Sequence, residues 1–197
     1  MKTPTIEIKL DDKKLRQLEI MLRGIPNALP KVISRGINRT ASPAKGEISK
    51  GIREEINATA QRVNERLILT KATYQNWFAN IHISRRRIPL MAFGAKQTAK
   101  GVSYQIKKDG GRQMIPHTFI AGVTTGHEDT VHTGVFIRRT KKRFPIRELW
   151  GPSIGQVFEN SGSLIERITA KAYERLEHNI NSQIDFLLSR RGLRRAS

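Results

Sequence analysis

Cysteine is absent from this 197-residue chain, which excludes disulfides and thiolate metal centres and makes a reducing compartment tolerable. Long apolar runs are absent as well. No stretch approaches the ~18 residues of a membrane span, and nothing apolar follows Met1-Lys2-Thr3-Pro4, so neither export by a signal peptide nor membrane insertion is expected. Aromatic residues make up only 6% and are poorly interleaved with the basic ones. Trp77, Phe78 and Phe93 suit core or interface positions better than a stacking platform, which argues against sequence-specific recognition of single strands.

Acid is scarce in the middle of the chain. Residues 1–84 carry 15 basic and 8 acidic side chains, residues 85–147 carry 14 and 3, and residues 148–197 carry 7 and 6. The corresponding net charges are +7, +11 and +1, within a total of +19. That total lies far above the magnitude of roughly 2–8 that suits a small soluble domain. The segment from Arg85 to Arg147 must repel itself unless a polyanion or an acidic partner faces it. A chain of this length buries roughly 70% of its unfolded surface, so one core and a single domain over residues 1–197 are expected.

Local periodicity orders the chain into three segments. Thr5 to Leu10 alternate with period two and read as a short strand; Asp11 and Asp12 then stand where a helix begins, followed by Leu15, Leu18, Leu22 and Ile25. Gly24 and Pro26 end that helix, and a second stripe runs through Val32, Ile33 and Ile37 and resumes at Ile48, Ile52 and Ile56. Ser42-Pro43 interrupts it either as an N-cap followed by proline or as a kink. Thr59 is placed to cap a third helix reaching about Leu69, so residues 1–72 read as mainly helical.

From Tyr74 the period becomes extended. Phe78, Ile81, Ile83, Leu90, Phe93, Val102, Tyr104 and Ile106 fall in short runs between Gly, Lys and Asp turns, and Thr118–Val123 faces Thr133–Arg139 across a polar loop. Residues 74–147 therefore read as a basic antiparallel sheet. Over 151–192 the helical period returns, with Leu164, Ile165, Ile168, Ala172, Leu176, Ile180, Ile184 and Leu187 in one stripe behind Ser161 or Ser163. The fold class expected is α+β: N-terminal helices, a central antiparallel β-sheet and a long C-terminal helix. That helix is long enough to leave Ile180, Ile184 and Leu187 for a subunit interface.

The catalytic constellations are weak. His127 and His132 flank an acidic pair but stand five apart, so they do not share a helix face as zinc ligands would, and a solvated hairpin tip is the better reading. Phe93 to Gly101 resembles a phosphate loop without its closing Gly-Lys-Ser/Thr, and reads as a basic hairpin. No serine, histidine and acid are singled out by spacing, and between Arg85 and Arg147 only Asp109, Glu128 and Asp129 could hold magnesium. Neither catalysis nor a metal or other cofactor is expected. The basic clusters are stronger: Arg85, Arg86 and Arg87; Arg138, Arg139, Lys141, Lys142 and Arg143; and a tail from Arg190 to Arg195. The first two each close a strand, which would set them at one end of the sheet, facing phosphates or an acidic protein rim without base-specific geometry.

Taken together, several segments resemble a known family. They are Arg66 to Thr73, Ile88 to Ala95, Phe119-Ile120-Ala121 leading into a strand that ends in basics, Arg143-Phe144-Pro145-Ile146, and Gly151-Pro152-Ser153-Ile154. The chain is similar over nearly its whole length to the minor tail protein Z family of long-tailed phages, most specifically in Phe144-Pro145-Ile146 followed by Gly151-Pro152-Ser153. The resemblance implies a virion structural protein that finishes the head-proximal end of the tail, at the joint through which genome DNA passes. It further implies a homo-oligomeric ring, six-fold like other proteins of that joint, and tail tube and neck proteins as partners. DNA is met by proximity and without sequence specificity, no membrane is involved, and the host cytoplasm is the place of assembly. Pro145, Gly151, Pro152 and Ser153 would form a structural corner in which glycine frees the backbone, proline fixes its direction and serine caps the following turn. The competing reading of the charge alone is a monomeric, sequence-independent nucleic-acid-binding protein of the host.

Overall fold

The computed structural model describes residues 3–124 and 131–190. In chain order its first elements are β1 (Thr5–Lys9), α1 (Asp12–Met21), α2 (Ala28–Glu55), α3 (Ala60–Asn64), β2 (Leu67–Thr70) and β3 (Phe78–Ile83). Then come β4 (Arg87–Pro89), a 3-10 turn (Leu90–Phe93), β5 (Lys96–Thr98), β6 (Gly101–Tyr104), β7 (Gln113–Pro116), β8 (Thr118–Thr124) and β9 (Val131–Arg138). The chain continues with β10 (Ile146–Glu148), β11 (Trp150–Ser153), α4 (Ile154–Asn160) and α5 (Gly162–Ser189). This is an α+β fold. No helix among the described residues is long and apolar enough to cross a membrane. The residues divide into two compact units, one of Met1–Ile48, Leu67–Ile83 and Ser161–Ser197, the other of Ser49–Arg66 and Ser84–Asn160.

In the first unit, the Asp11 carboxylate accepts the Lys14 N–H at 2.6 Å and starts α1, which buries Leu18. Helix α2 continues unbroken through Pro43, so Ser42 does not begin a new helix. Proline there forgoes the hydrogen bond to the Arg39 carbonyl, but Ile33, Ile37, Ala41, Ala44 and Ile48 are all buried, and that burial holds the helix together. Leu67 to Leu69, expected at the end of a third helix, instead form β2. Thr59 Oγ1 does cap α3 at the Arg62 N–H, but α3 stops at Asn64, and Leu67 pairs with Ile83 in β3. An apolar run so short suits either period, and the distant strand decides it.

Strand β3 lies between β1 and β2, antiparallel to both, and buries Ala79, Ile81 and Ile83 on one face. Helices α2 and α5 meet along an antiparallel series of contacts. A Cβ on Gly36 would stand 2.4 Å from the Ile180 Cδ1; Asn179 Nδ2 donates to Thr40 Oγ1 at 3.0 Å; and Arg175 meets Glu47 at 2.6 Å. Ile180 and Ile184, expected at a subunit interface, are both 0% exposed within the single chain. They are core residues, and only Leu187 of that trio is partly exposed.

The second unit holds three small antiparallel sheets in place of one: β4 with β11, β5–β6–β7, and β8–β9–β10. Leu90 and Phe93, expected in strands, lie in the 3-10 turn, which Gly94 ends in the left-handed conformation at φ 63°. Phe93, Ile88, Val102, Val135, Ile154 and Phe158 are buried in this unit. Lys96–Thr98 and Gly101–Tyr104 make the basic hairpin, with Thr98 Oγ1 donating to the Gly101 carbonyl at 2.8 Å.

Candidate functional site

The largest basic cluster occupies the connection between β9 and β10. Arg138 pairs in register with Ile146, the Arg139 N–H reaches the Pro145 carbonyl at 3.5 Å, and the Lys142 N–H donates to Thr140 Oγ1 at 3.3 Å. These bonds draw Arg139, Lys141, Lys142 and Arg143 into an exposed tip beside Phe144, itself 62% exposed. The Arg138 guanidinium lies 4.5 Å from the centroid of the Phe119 ring, and that of Arg143 lies 5.7 Å from the Phe144 ring. Such stacking holds an arginine in place while leaving its N–H donors for an anion.

The other cluster is arranged differently. Arg85 pairs with Glu159 at the end of α4, Arg86 is exposed, and Arg87 stands opposite Ser153 in the β4–β11 pair. Because Arg87 and Arg138 belong to separate sheets, strand pairing does not gather the two clusters at one sheet end, as the sequence reading supposed. Among the described residues, Arg85 is the one member of the eight with a carboxylate partner. The nearby carboxylate of Glu148 is taken by His132 Nε2 at 2.8 Å. Arg147 on β10 adds an exposed basic side chain that clustering along the sequence had passed over. Arg112 is a different case: its Nη2 donates to the Gly94 and Ser103 carbonyls at 2.8 and 2.9 Å, so it braces the hairpin.

His127, Glu128, Asp129 and the tail arginines 191, 194 and 195 lie outside the described residues. Among the described residues no three His, Asp or Glu side chains come together as metal ligands.

At the Gly151-Pro152-Ser153 corner, Ser153 Oγ accepts the Gln156 N–H at 3.1 Å at the start of α4. Gly151 is required for another reason than backbone freedom, since a Cβ there would stand 2.4 Å from the Phe93 ring. Ser153→Ala should therefore destabilise by about 0.5–2 kcal/mol, as a lost cap does, and leave assembly intact. Thermal unfolding beside particle yield checks this, and lost assembly in a protein still folded would give Ser153 a role beyond capping.

The arrangement sets exposed cations at a hairpin tip, a placement suited to neutralising a polyanion. The family model described as prophage minor tail protein Z (GPZ) matches residues 8–190 of the chain. No curated protein and no solved structure matches it.

Proposed function

The chain belongs to the prophage minor tail protein Z family, which makes it a phage tail structural protein of the virion, and from that membership we propose that it completes the head-proximal end of the tail. There it joins copies of itself in a ring, contacts tail tube and neck proteins, and contributes without catalysis to the joint through which DNA passes. The observation that carries this reading is the exposed β9–β10 tip, whose Arg139, Lys141, Lys142 and Arg143 have no carboxylate partner among the described residues. Uncompensated cations at the end of a hairpin gain most when they meet phosphates, and phosphate contacts need no base sequence.

The test pairs Arg86→Glu with Lys142→Glu, both at exposed positions. Duplex binding by the parent protein should fall with salt at a slope of about −0.9 per phosphate neutralised. The double reversal should lower that slope by about two and cut infectious yield from phage carrying it, while tails still form. Normal yield with an unchanged slope would overturn the reading. Tails that no longer dock to heads, with the slope unchanged, would assign the tip to an acidic neck protein.

A further inference from the structure

A second basic surface lies in the other unit, along α2 and the end of α5. Lys31, Arg35 and Arg39 follow one another at i, i+4 and i+8, on the opposite side of α2 from buried Ile33 and Ile37. Two grooves of about 440 and 700 Å³ run beside them, sharing Arg35, Gln183 and Phe186 in their walls. Lys31 and Arg190 line the first, and Arg39 and Lys71 the second. Among the described residues no carboxylate lines either groove, and none pairs with Lys31, Arg35, Arg39 or Lys71. Like charges at helical spacing repel, so folding of the chain alone does not explain the stripe.

The floor is not basic. Phe186 is 49% exposed there, with the Arg190 guanidinium 5.8 Å from its ring centroid, and Ile25 and Leu187 continue the apolar surface. Phosphate contacts do not need an apolar floor, whereas a groove that receives an amphipathic helix does. Successive cations on the rim rise about 6 Å along α2, the same spacing as carboxylates at i and i+4 on another helix.

We propose that this groove is a docking site for an acidic amphipathic helix of a partner protein. Its apolar stripe covers Phe186, Leu187 and Ile25, and its carboxylates pair with Lys31, Arg35, Arg39 and Lys71. The site is separate from the β9–β10 tip and stands whether or not that tip meets DNA.

The probe is a labelled helical peptide of about 18 residues, with Glu at every fourth position beside a Leu stripe, titrated against the full chain. Arg35→Glu with Arg39→Glu should weaken its binding by about tenfold or more, since close charge pairs at an interface couple strongly. Phe186→Ala should weaken it by about threefold or more through loss of the apolar anchor. Replacing the peptide's Glu by Gln should do the same as the charge reversals. All three protein positions are exposed, so melting should stay at the parent value, and Lys71→Glu repeats the test at a residue outside both helices. Arg86→Glu and Lys142→Glu should leave peptide binding unchanged. Peptide affinity indifferent to Arg35 and Arg39 would overturn the proposal. Duplex DNA that binds through Arg35 and Arg39, with Phe186→Ala silent, would also overturn it, as would self-association abolished by the same changes.

Discussion

Ile184→Asp is expected to unfold the first unit, and any loss of association should follow from that unfolding. Ile184 is 0% exposed beside Ile180 on the face of α5 that packs inward. Truncating such a side chain to alanine costs about 2–5 kcal/mol. A carboxyl group put in its place must either ionise in an apolar site or bind a proton to stay neutral. The sum reaches about 5 kcal/mol or more, against a total stability of about 5–15 kcal/mol for an ordinary domain. Trp77 lies in the first unit and Trp150 in the second, so Trp150→Phe leaves Trp77 as the one tryptophan, reporting on the affected unit. In that background Ile184→Asp should show Trp77 emission of an unfolded chain at room temperature, while Ile184→Val should cost only about 0.5–1.5 kcal/mol. A native Trp77 signal and an unshifted melt, with association lost, would return Ile184 to the surface.

That outcome bears on what a sequence discloses. The stripe from Leu164 to Leu187 was legible as one face of a long helix, and the structure buries Leu164, Ile168, Ala172, Leu176, Ile180 and Ile184 along it. What the stripe could not disclose is whether the surface facing it belongs to the same chain. The partner is α2, more than a hundred residues earlier, and the mark of its approach is Gly36, a poor helix former where a Cβ would stand 2.4 Å from the Ile180 Cδ1 and have to push it aside. The hairpin of β8 and β9 was legible for the opposite reason, since its partners are neighbours in sequence and alternate with period two.

At its two ends the segment read as one sheet pairs with distant strands, β3 with β1 and β4 with β11. β3 reads as the first strand of the basic segment, yet it joins β1, some 70 residues earlier, through register pairs such as Ile8 with Ala79. Local periodicity carries no signal for such a pairing. The basic tip was legible from composition alone. The stripe of Lys31, Arg35 and Arg39 was overlooked because its segment also carries acids, and counting charge by segment averages out what helical spacing sets on one face. Reading charges at i, i+4 and i+8 against the apolar positions would have found it.

Gly101→Ala should be the most damaging single methyl group in the second unit. A Cβ at Gly101 would stand 2.1 Å from the Ile115 carbonyl oxygen and 3.1 Å from the Pro116 Cα, at a φ of +156°. These are backbone atoms of the paired strand β7, where Gly101 faces Pro116, and they cannot rotate aside as the Ile180 methyl group beside Gly36 can. Relief requires β6 and β7 to part. Overpacking of this kind costs about 1–3 kcal/mol, and the backbone strain of a side chain at that φ adds about 1–3 kcal/mol. For a protein of this size the sum lowers the melting temperature by about 10 °C. Trp77→Phe leaves Trp150 to report it, and Gly111→Ala, where no atom lies within 4 Å, should change stability by less than about 0.5 kcal/mol. The damage should also reach function. Thr118 Oγ1 accepts the Val102 N–H at 2.9 Å and so ties β6 to β8, in the sheet whose β9–β10 connection carries Arg139, Lys141, Lys142 and Arg143. Parting β6 from β7 loosens that support, so duplex affinity should fall in Gly101→Ala although no basic residue has changed. Unaltered melting would show that β6 and β7 do not approach this closely, and unaltered affinity in a destabilised protein would show that the tip holds its shape without them.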